Sequence, residues 1–430
     1  MRFSLSTATA VLAAAAFLTP LANGQLITEE PSVAPGPTST QTPIPEPTAA
    51  PTPGNGPSPR GFTNFAFTEY QKLFVSDGVR RWAKEEQALY AGLYSLDLSV
   101  PWTSDKPAWK NLTYRSTGEG ETAGQFGISK DNATLFFFDG KVHKYDVKTN
   151  TWAPDTSAPS LGNDSVPFEF ADHIVTDPET GILHGFGPLV PLWTIADPEA
   201  DGYLVSMAAF DPATGNYTYS YNTNSGGPNG TNPNSLVFSA ATKKLYAFEW
   251  ERTQNDSALF EYDTSSKKWT QLNTTGDAPT SRGGVCFAPA YGGTKLILAG
   301  GKSVTDTTGA KNAALDDIYV YDVPSSVWRK MANASKPYHG AACAVTGDFF
   351  IIWGGYNVYA TGNYTANEDG PAIFNISANT WGTNYSPTPA GTPPSKDSSN
   401  KPSTASQTWA ALIRGEMILL AAVVATLSLL

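Results

Sequence analysis

A single pattern of apolar and polar residues recurs along the middle of the chain. Each copy is a short apolar run that ends in an aromatic residue followed by Asp or Asn, and a second aromatic residue comes six positions after that polar residue. Five copies keep this spacing: Tyr145-Asp146 with Trp152, Phe210-Asp211 with Tyr217, Tyr262-Asp263 with Trp269, Tyr321-Asp322 with Trp328, and Phe374-Asn375 with Trp381. An earlier copy, Leu96-Asp97 with Trp109, is lengthened by an insertion. Such regularity predicts a repeat architecture.

The repeated phrase has a direct structural interpretation. The run Ile318–Tyr321 predicts a β-strand, and the Asp that follows is suited to a tight turn into a next strand opened by the Trp. Further apolar runs precede the phrases, and the last two end in Gly300-Gly301 and Gly354-Gly355. A diglycine after a buried strand lets the backbone turn tightly and approach a neighbouring segment. Each copy therefore predicts several short antiparallel strands.

The residues from Ser281 to Trp381 resemble the kelch repeat in their apolar-Gly-Gly, Tyr-Asp and Trp elements. The Tyr-Asp…Trp half of the repeat extends the resemblance back to about residue 65, although the four earlier copies lack the diglycine. The resemblance implies an all-β fold, a kelch-type β-propeller over residues 61–385. It implies six blades, with seven as the alternative if region 61–100 adds another.

The two ends of the chain carry targeting patterns. Residues 1–24 combine a positive start, an apolar run and small residues before a cleavage position, as in a secretory signal peptide. Residues 25–60 and 386–409 are rich in Pro, Ser and Thr, a composition that predicts disordered segments. Residues 410–430, with a hydrophobic tail at 417–430, follow the GPI-attachment pattern, and a single-pass anchor is the alternative. The candidate attachment residues are Ser399, Asn400 and Ser403, although Pro402 disfavours Asn400.

Composition and sequons narrow the function classes. The 430-residue chain has a net charge of −11, so it lacks the positive charge expected of a protein that binds nucleic acid.

Together with the targeting patterns at the two ends, the predicted propeller is similar to the secreted, GPI-anchored kelch proteins of fungal cell surfaces. Eleven N-x-S/T sequons predict a heavily N-glycosylated surface. The sequon asparagines are Asn111, Asn132, Asn163, Asn216, Asn229, Asn255, Asn273, Asn333, Asn363, Asn375 and Asn384.

Two cysteines, Cys286 and Cys343, align with each other in the last two kelch copies. The resemblance places their strands side by side on neighbouring blades, so we expect a disulfide between them in an oxidising compartment. Two buried free thiols are the alternative.

Arg282 and His339 precede these cysteines and align in the same way. The resemblance places this position at the mouth of the central channel, so both are candidate binding residues. An Arg there is suited to a carboxylate or to sugar hydroxyls. The alternative is an Arg bonded to a neighbouring loop carbonyl.

No catalytic motif accompanies the repeats. The sequence has no Gly-x-Ser-x-Gly elbow, His-Glu-x-x-His helix or phosphate loop. Kelch-type propellers include copper radical oxidases similar to galactose oxidase, but the four histidines here are scattered, and we predict no cofactor or metal. The sequence therefore predicts a non-catalytic recognition protein of the cell surface or wall, with a cell-wall polysaccharide or extracellular protein as partner. The alternative is an extracellular carbohydrate-active enzyme with carboxylates at the propeller mouth.

Overall fold

The computed structural model describes residues 57, 65–68, 72–76, 93–112, 125–138, 142–153, 174–187, 190–191, 203–204, 206–221, 228, 235–248, 258–303, 313–358, 364–367 and 369–387. The chain divides into two units, Met1–Ala50 and Pro51–Leu430, and every described residue lies in the second. The predicted signal peptide, the GPI segment and its candidate residues Ser399, Asn400 and Ser403 lie outside the described residues. In the predicted stalk only Pro57 is described, and it is buried. Among the described residues, no helix has the length and apolar character needed to cross a membrane.

Six antiparallel sheets follow one another along the chain, and each is built on four strands in sequence order. From the inside outwards, blade 1 contains β1 (Phe65–Thr68), β2 (Lys72–Ser76), β3 (Leu93–Asp97) and β5 (Trp109–Leu112), with β4 (Trp102–Thr103) between β3 and β5. Blade 2 contains β6 (Gln125–Ile128), β7 (Thr134–Phe138), β8 (Val142–Asp146) and β9 (Thr151–Trp152). Blade 3 contains β10 (Ile174–Thr176), β11 (Leu183–Phe186), β14 (Ser206–Phe210) and β15 (Tyr217–Tyr221), with a ribbon of β12 (Val190–Pro191) and β13 (Tyr203–Leu204).

Blades 4 to 6 repeat this order. Blade 4 contains β16 (Leu236–Ser239), β17 (Lys244–Phe248), β18 (Leu259–Asp263) and β19 (Lys268–Gln271). Blade 5 contains β22 (Cys286–Ala290), β23 (Lys295–Ala299), β25 (Ile318–Asp322) and β26 (Val327–Lys330), with β20 (Thr275–Gly276) parallel to β26 and β21 (Arg282–Gly283) paired with β24 (Lys302–Ser303). Blade 6 contains β27 (Ala342–Thr346), β28 (Phe349–Trp353), β31 (Ala372–Asn375) and β32 (Thr380–Gly382), with a ribbon of β29 (Tyr356–Val358) and β30 (Tyr364–Ala366), and it is followed by β33 (Asn384–Tyr385).

The six sheets close into a ring. The innermost strands β1, β6, β10, β16, β22 and β27 each contact the innermost strand of the next blade, and β27 contacts β1. The fold is therefore an all-β propeller of six blades, which confirms the predicted fold class. Residues 65–112 form the first of these six blades, so the described residues do not add a seventh.

Apolar side chains fill the space between facing blades. In blade 5, Phe287 and Leu298 face blade 4, whereas Ile297 and Val320 face blade 6. Alternate residues of a strand point to opposite sides of its sheet, so a blade with neighbours on both sides is apolar at successive positions. Each large side chain buried in this way stabilises the fold by about 1.5–3 kcal/mol.

The strand connections divide the propeller into two faces. We call the turn face the side that carries the turns after the first and third main strands of each blade, such as 264–267 in blade 4 and 323–326 in blade 5. We call the loop face the opposite side. Within blades 1 and 3 to 6 its connections are longer and unequal: 77–92, 187–205, 249–257, 300–317 and 354–371.

On the turn face, the polar residue of the repeated phrase caps the outer turn in blades 2 to 6. In every case its Oδ1 accepts a backbone N–H two or three residues ahead, over 2.7–3.1 Å. The capping residues are Asp146, Asp211, Asp263, Asp322 and Asn375. Hydrogen bonds from Ser265 and Ser266 lower the pKa of Asp263 to about 2. The turn predicted from the sequence is thus confirmed.

The two aromatic residues of a phrase face each other across this turn. Ring centroids are 4.9 Å apart for Tyr262 and Trp269, and 5.0 Å apart for Tyr321 and Trp328. Such cross-strand aromatic pairs stabilise a hairpin and fix its register. The constant spacing in the sequence therefore reflects a turn of constant length.

Contacts between inner turns join neighbouring blades on the turn face. Lys130 of blade 2 donates to the Glu179 carbonyl of blade 3, and the Glu179 carboxylate lies 2.8 Å from Lys243 Nζ of blade 4. Blades 4 and 5 are joined through the short 3-10 turn between β22 and β23. The Tyr291 hydroxyl of blade 5 then donates to the Asp348 carboxylate of blade 6 over 2.8 Å. These contacts link blades 2 to 6 to one another on the turn face.

The two ends of the propeller meet in a small sheet of β4 and β33, which we call the latch. Trp102 stacks on Tyr385 with 4.8 Å between the ring centroids. The Tyr385 hydroxyl donates to the Leu98 carbonyl over 2.6 Å, and Tyr385 is 1% exposed. Because Leu98 follows the turn-face end of β3, the Tyr385 end of the latch lies towards the turn face, whereas Ser104 next to β4 donates to the Pro371 carbonyl over 2.8 Å. Blades 1 and 6 each use their own consecutive strands, so the ring closes without a shared blade.

Candidate binding surface on the loop face

Arg282 lies at the loop-face end of blade 5, just before the innermost strand. The side chain is 1% exposed, and its guanidinium forms a bidentate ion pair with the Asp317 carboxylate. The other N–H groups donate to the Gly300 carbonyl over 3.2 Å and to the Thr280 carbonyl and hydroxyl, both over 2.9 Å. The Tyr319 hydroxyl also donates to Asp317 over 2.9 Å. Arg282 thereby fixes both ends of the long connection between β23 and β25.

These contacts involve all five N–H donors of the Arg282 guanidinium. Burying a charge pair is costly unless its geometry and hydrogen bonds are good, and here both conditions hold. Burial and the Asp317 charge raise the pKa of Tyr319 to about 12, so the phenol stays protonated as a donor. The contacts match the structural alternative predicted from the sequence. Direct ligand binding by Arg282 stays a prediction. It would require the ligand to replace one of the hydrogen-bond acceptors that the guanidinium now contacts inside the protein.

His339 lies at the loop-face end of blade 6 and is 8% exposed. Its backbone N–H donates to the Tyr356 carbonyl over 3.1 Å, and the Tyr356 N–H donates back over 2.9 Å. The imidazole packs over Gly284, where a β-carbon would lie 2.3 Å from Nδ1. Gly284 also has a φ of +65°, so both space and backbone conformation require glycine there. Burial and nearby Lys302 lower the pKa of His339 to about 4, so the ring is neutral at pH 7.

The alignment that gave Arg282 and His339 the same register is wrong by one residue. In blade 5, Gly283 pairs with Lys302, three residues after the end of β23. In blade 6, His339 pairs with Tyr356, three residues after the end of β28. His339 therefore corresponds to Gly283, and Arg282 lies one position earlier. The turn between the two inner strands is longer in blade 5 than in blade 6. Residues that match in the Gly-rich phrases therefore do not occupy matching positions in the paired strands.

The same offset makes the disulfide between Cys286 and Cys343 feasible. Cys286 pairs with Ala299, the last residue of β23, whereas Cys343 pairs with Ile352, one residue before the end of β28. A shift of one residue reverses the direction of a side chain, so Cys286 faces blade 6 and Cys343 faces blade 5. The two are disulfide-bonded with Cα atoms 5.9 Å apart, as the sequence predicted. Cysteines in equal register would both point the same way around the ring.

The connection of blade 6 is fixed at its base as well. The Asn367 side-chain amide donates to the Pro337 carbonyl over 3.0 Å and to the Gly354 carbonyl over 3.3 Å. Lys336 Nζ lies 2.6 Å from the carboxylate of Asp369, whose side chain is 82% exposed. The ribbon of β29 and β30 between these contacts therefore starts and ends at defined positions.

Seven of the predicted sequon asparagines lie among the described residues. Five of them are exposed: Asn111, Asn216, Asn273, Asn333 and Asn384. The other two, Asn132 and Asn375, are half-buried. Asn163, Asn229, Asn255 and Asn363 lie outside the described residues. Every described sequon is thus accessible at least in part, and its glycosylation stays a prediction.

The other candidate side chains do not join this surface. His143 and His184 are buried in blades 2 and 3, where burial lowers the pKa of His184 to about 4. Trp353 is 3% exposed and contacts Trp109 edge-on at 5.3 Å, so its ring is not available to stack on a sugar. Within the described part of the chain, no three His, Cys, Asp or Glu side chains are grouped to hold a metal ion.

Asp317, Tyr319 and Asn367 support this face but were not singled out from the sequence. A buried Arg requires a carboxylate partner, and Asp317 stands directly before the strand that begins at Ile318. Its distance from Arg282 along the chain hid the pairing, because only the fold brings them together. The Asn367 contacts are with backbone carbonyls, which leave no signal in the sequence.

The chain is similar to known kelch proteins. The family model of the KLHDC2/KLHL20/DRC7 Kelch-repeats domain matches residues 237–417, which include nearly all of blades 4 to 6. Blades 4 to 6 match this kelch family model, and blades 1 to 3 repeat their strand order. The Caenorhabditis elegans protein tag-53 is 30% identical over 111 residues, and the match spans 25% of this chain but only 8% of that protein. The solved structure of YjhT matches with a TM-score of 0.51 and 16% identity, over 74% of this chain and 95% of that one. At this identity the likeness to YjhT concerns the fold alone.

Proposed function

We propose that this protein is a non-catalytic recognition protein of the outer cell surface, and that the loop face of its kelch-type propeller binds a cell-wall polysaccharide. The observation that carries the proposal is the difference between the two faces. The loop face combines long, unequal connections with bases held by buried polar contacts. Variable loops on a rigid scaffold are the usual arrangement of a protein binding surface.

Four features support an extracellular location at the membrane. The N-terminal segment has a signal-peptide pattern and the C-terminal segment has a GPI pattern. A disulfide persists in oxidising compartments, and the described sequon asparagines lie at or near the surface. The glycoprotein would thus be held outside the cell by a lipid anchor.

The contacts at the base of one loop-face connection point to blade 5 as the contact region. Arg282 holds both ends of the connection 300–317, through the Gly300 carbonyl and the Asp317 carboxylate. A loop with fixed ends on a rigid scaffold presents a defined surface to a partner. The connection fixed by Arg282 and Asp317 is therefore the one we expect to contact the polysaccharide.

The first test is binding of the full-length glycoprotein to isolated cell-wall polysaccharide, with both bound protein and released sugar measured. Saturable binding without sugar release is the expected result. Release of sugar would overturn the non-catalytic assignment and favour the carbohydrate-active enzyme. Failure to bind any polysaccharide fraction would overturn the polysaccharide as partner and turn the search to extracellular proteins.

A new glycan can then locate the contact. A314S creates a sequon at Asn312, within the connection 300–317, and should weaken polysaccharide binding at least tenfold. The double variant N312Q/A314S lacks that glycan but keeps the new serine, so it should bind normally. D263N creates a sequon in the outer turn of blade 4, on the turn face, and its glycan should leave binding unchanged. Equal loss in A314S and D263N would contradict a binding site on the loop face.

A further inference from the structure

We propose that the propeller is held with its turn face towards the membrane and its loop face outwards, so that its partner approaches from outside the cell. The inference rests on the proposed function, in particular on a lipid anchor attached beyond residue 387. It assigns opposite roles to the two faces, one next to the cell's own surface and one available to a partner in the wall or on another cell.

The place where the chain leaves the propeller carries this inference. Tyr385 is the last residue of β33, and its ring lies 5.4 Å from Phe349 at the turn-face end of β28. Its hydroxyl bonds to Leu98 at the turn-face end of blade 1. The last paired residue of the chain therefore lies towards the turn face, at the junction of blades 6 and 1, and the chain towards the anchor continues from there.

The departure point is fixed to the body of the propeller. The Ser104 N–H donates to the Thr383 carbonyl over 2.8 Å, just before β33 begins. The Trp102 indole N–H donates to the Asp97 carbonyl over 3.1 Å, which holds the ring that stacks on Tyr385. The end of the described chain is thus bound to blade 1 by backbone pairing, ring stacking and hydrogen bonds.

The test uses the full-length protein on intact cells, with one short epitope inserted on each face of blade 5. The turn-face epitope goes between Pro324 and Ser325, and the matched loop-face epitope goes between Thr308 and Gly309. Binding of an anti-epitope Fab to intact cells is divided by its binding to the detergent-solubilised protein. We expect this ratio to be at least threefold lower for the turn-face epitope, and near one for the loop-face epitope.

The outcomes separate the orientation from the anchor. Equal ratios, or a lower ratio for the loop-face epitope, would overturn the orientation. In a parallel sample, a phosphatidylinositol-specific phospholipase should release the protein from the cells. Cell-bound protein that resists the enzyme would contradict the GPI anchor while the Fab ratios still decide the orientation. Protein found only in the medium would overturn both. A second turn-face epitope, between Ser265 and Ser266 of blade 4, guards against misfolding of the first insertion.

Discussion

The turn face and the loop face are built by the same repeat but are stabilised in different ways. On the turn face, every blade from 2 to 6 has the same capped turn, and neighbouring blades are joined by partly exposed contacts. On the loop face, a few buried contacts in blades 5 and 6 hold long connections in place. The regular part of the sequence therefore marks the scaffold, and the binding surface is expected where the regularity ends.

The largest effect should follow from the loss of Arg282. R282M leaves the Asp317 carboxylate buried without its cation, and the free energy of unfolding should fall by about 3–5 kcal/mol. Urea unfolding followed by tryptophan fluorescence at pH 7 would measure the change. The double variant R282M/D317N should recover part of the loss because no charge is left uncompensated. If the double variant is less stable than R282M, the two groups are not a stabilising pair.

Removal of the disulfide should have the next largest effect. C286A/C343A opens a cross-link with a sequence separation of 57 and should lower the free energy of unfolding by about 2–4 kcal/mol. The same urea experiment on the reduced and the oxidised wild-type protein supplies the control. An unchanged unfolding midpoint in C286A/C343A would show that the junction of blades 5 and 6 does not limit stability.

Two buried histidines, one near each face, should make the propeller sensitive to acid. The pKa values of His184 and His339 are lowered to about 4 because burial disfavours the charged ring. An unfolded histidine has a pKa near 6.5, so the unfolded chain binds more protons as pH falls from about 6.5 to 4. The free energy of unfolding should therefore be about 2 kcal/mol lower per histidine at pH 5 than at pH 7.

The variants H184Q and H339Q separate the two faces. Each should remove about half of the change in unfolding free energy between pH 7 and pH 5. Asp263 does not contribute in this window, because its lowered pKa gives stability that is lost only below about pH 4. A pH dependence that survives in the H184Q/H339Q double variant would assign it to other groups.

The smallest effect is expected for a single contact of the turn face. Y291F removes the hydroxyl that donates to Asp348 and should cost about 1 kcal/mol. Because this contact is remote from the loop face, polysaccharide binding by Y291F should equal that of the wild type. A loss of polysaccharide binding without a larger loss of stability would contradict the assignment of binding to the loop face alone.

The sequence predicted the parts of the fold that depend on local chemistry. The Asp or Asn of each phrase bonds to its own turn, and the aromatic residues of the phrase pair across that turn, so the spacing alone was informative. The register of Arg282 and His339 was not predictable in this way, because it depends on the length of an inner hairpin. The Arg282–Asp317 pair was hidden for the same reason, since its partners are distant along the chain and meet only in the folded blade.

The latch also determines how the molecule would respond to mechanical load. A pull along the C-terminal tether acts first on β33, which pairs with β4 over only two residues. A pair of this size separates at lower force than a four-stranded blade, in which several strands must part together. Since no strand is shared between blades 1 and 6, tension that opens the latch leaves both blades whole. The propeller would yield at one seam under strain and could close again when the strain is relieved.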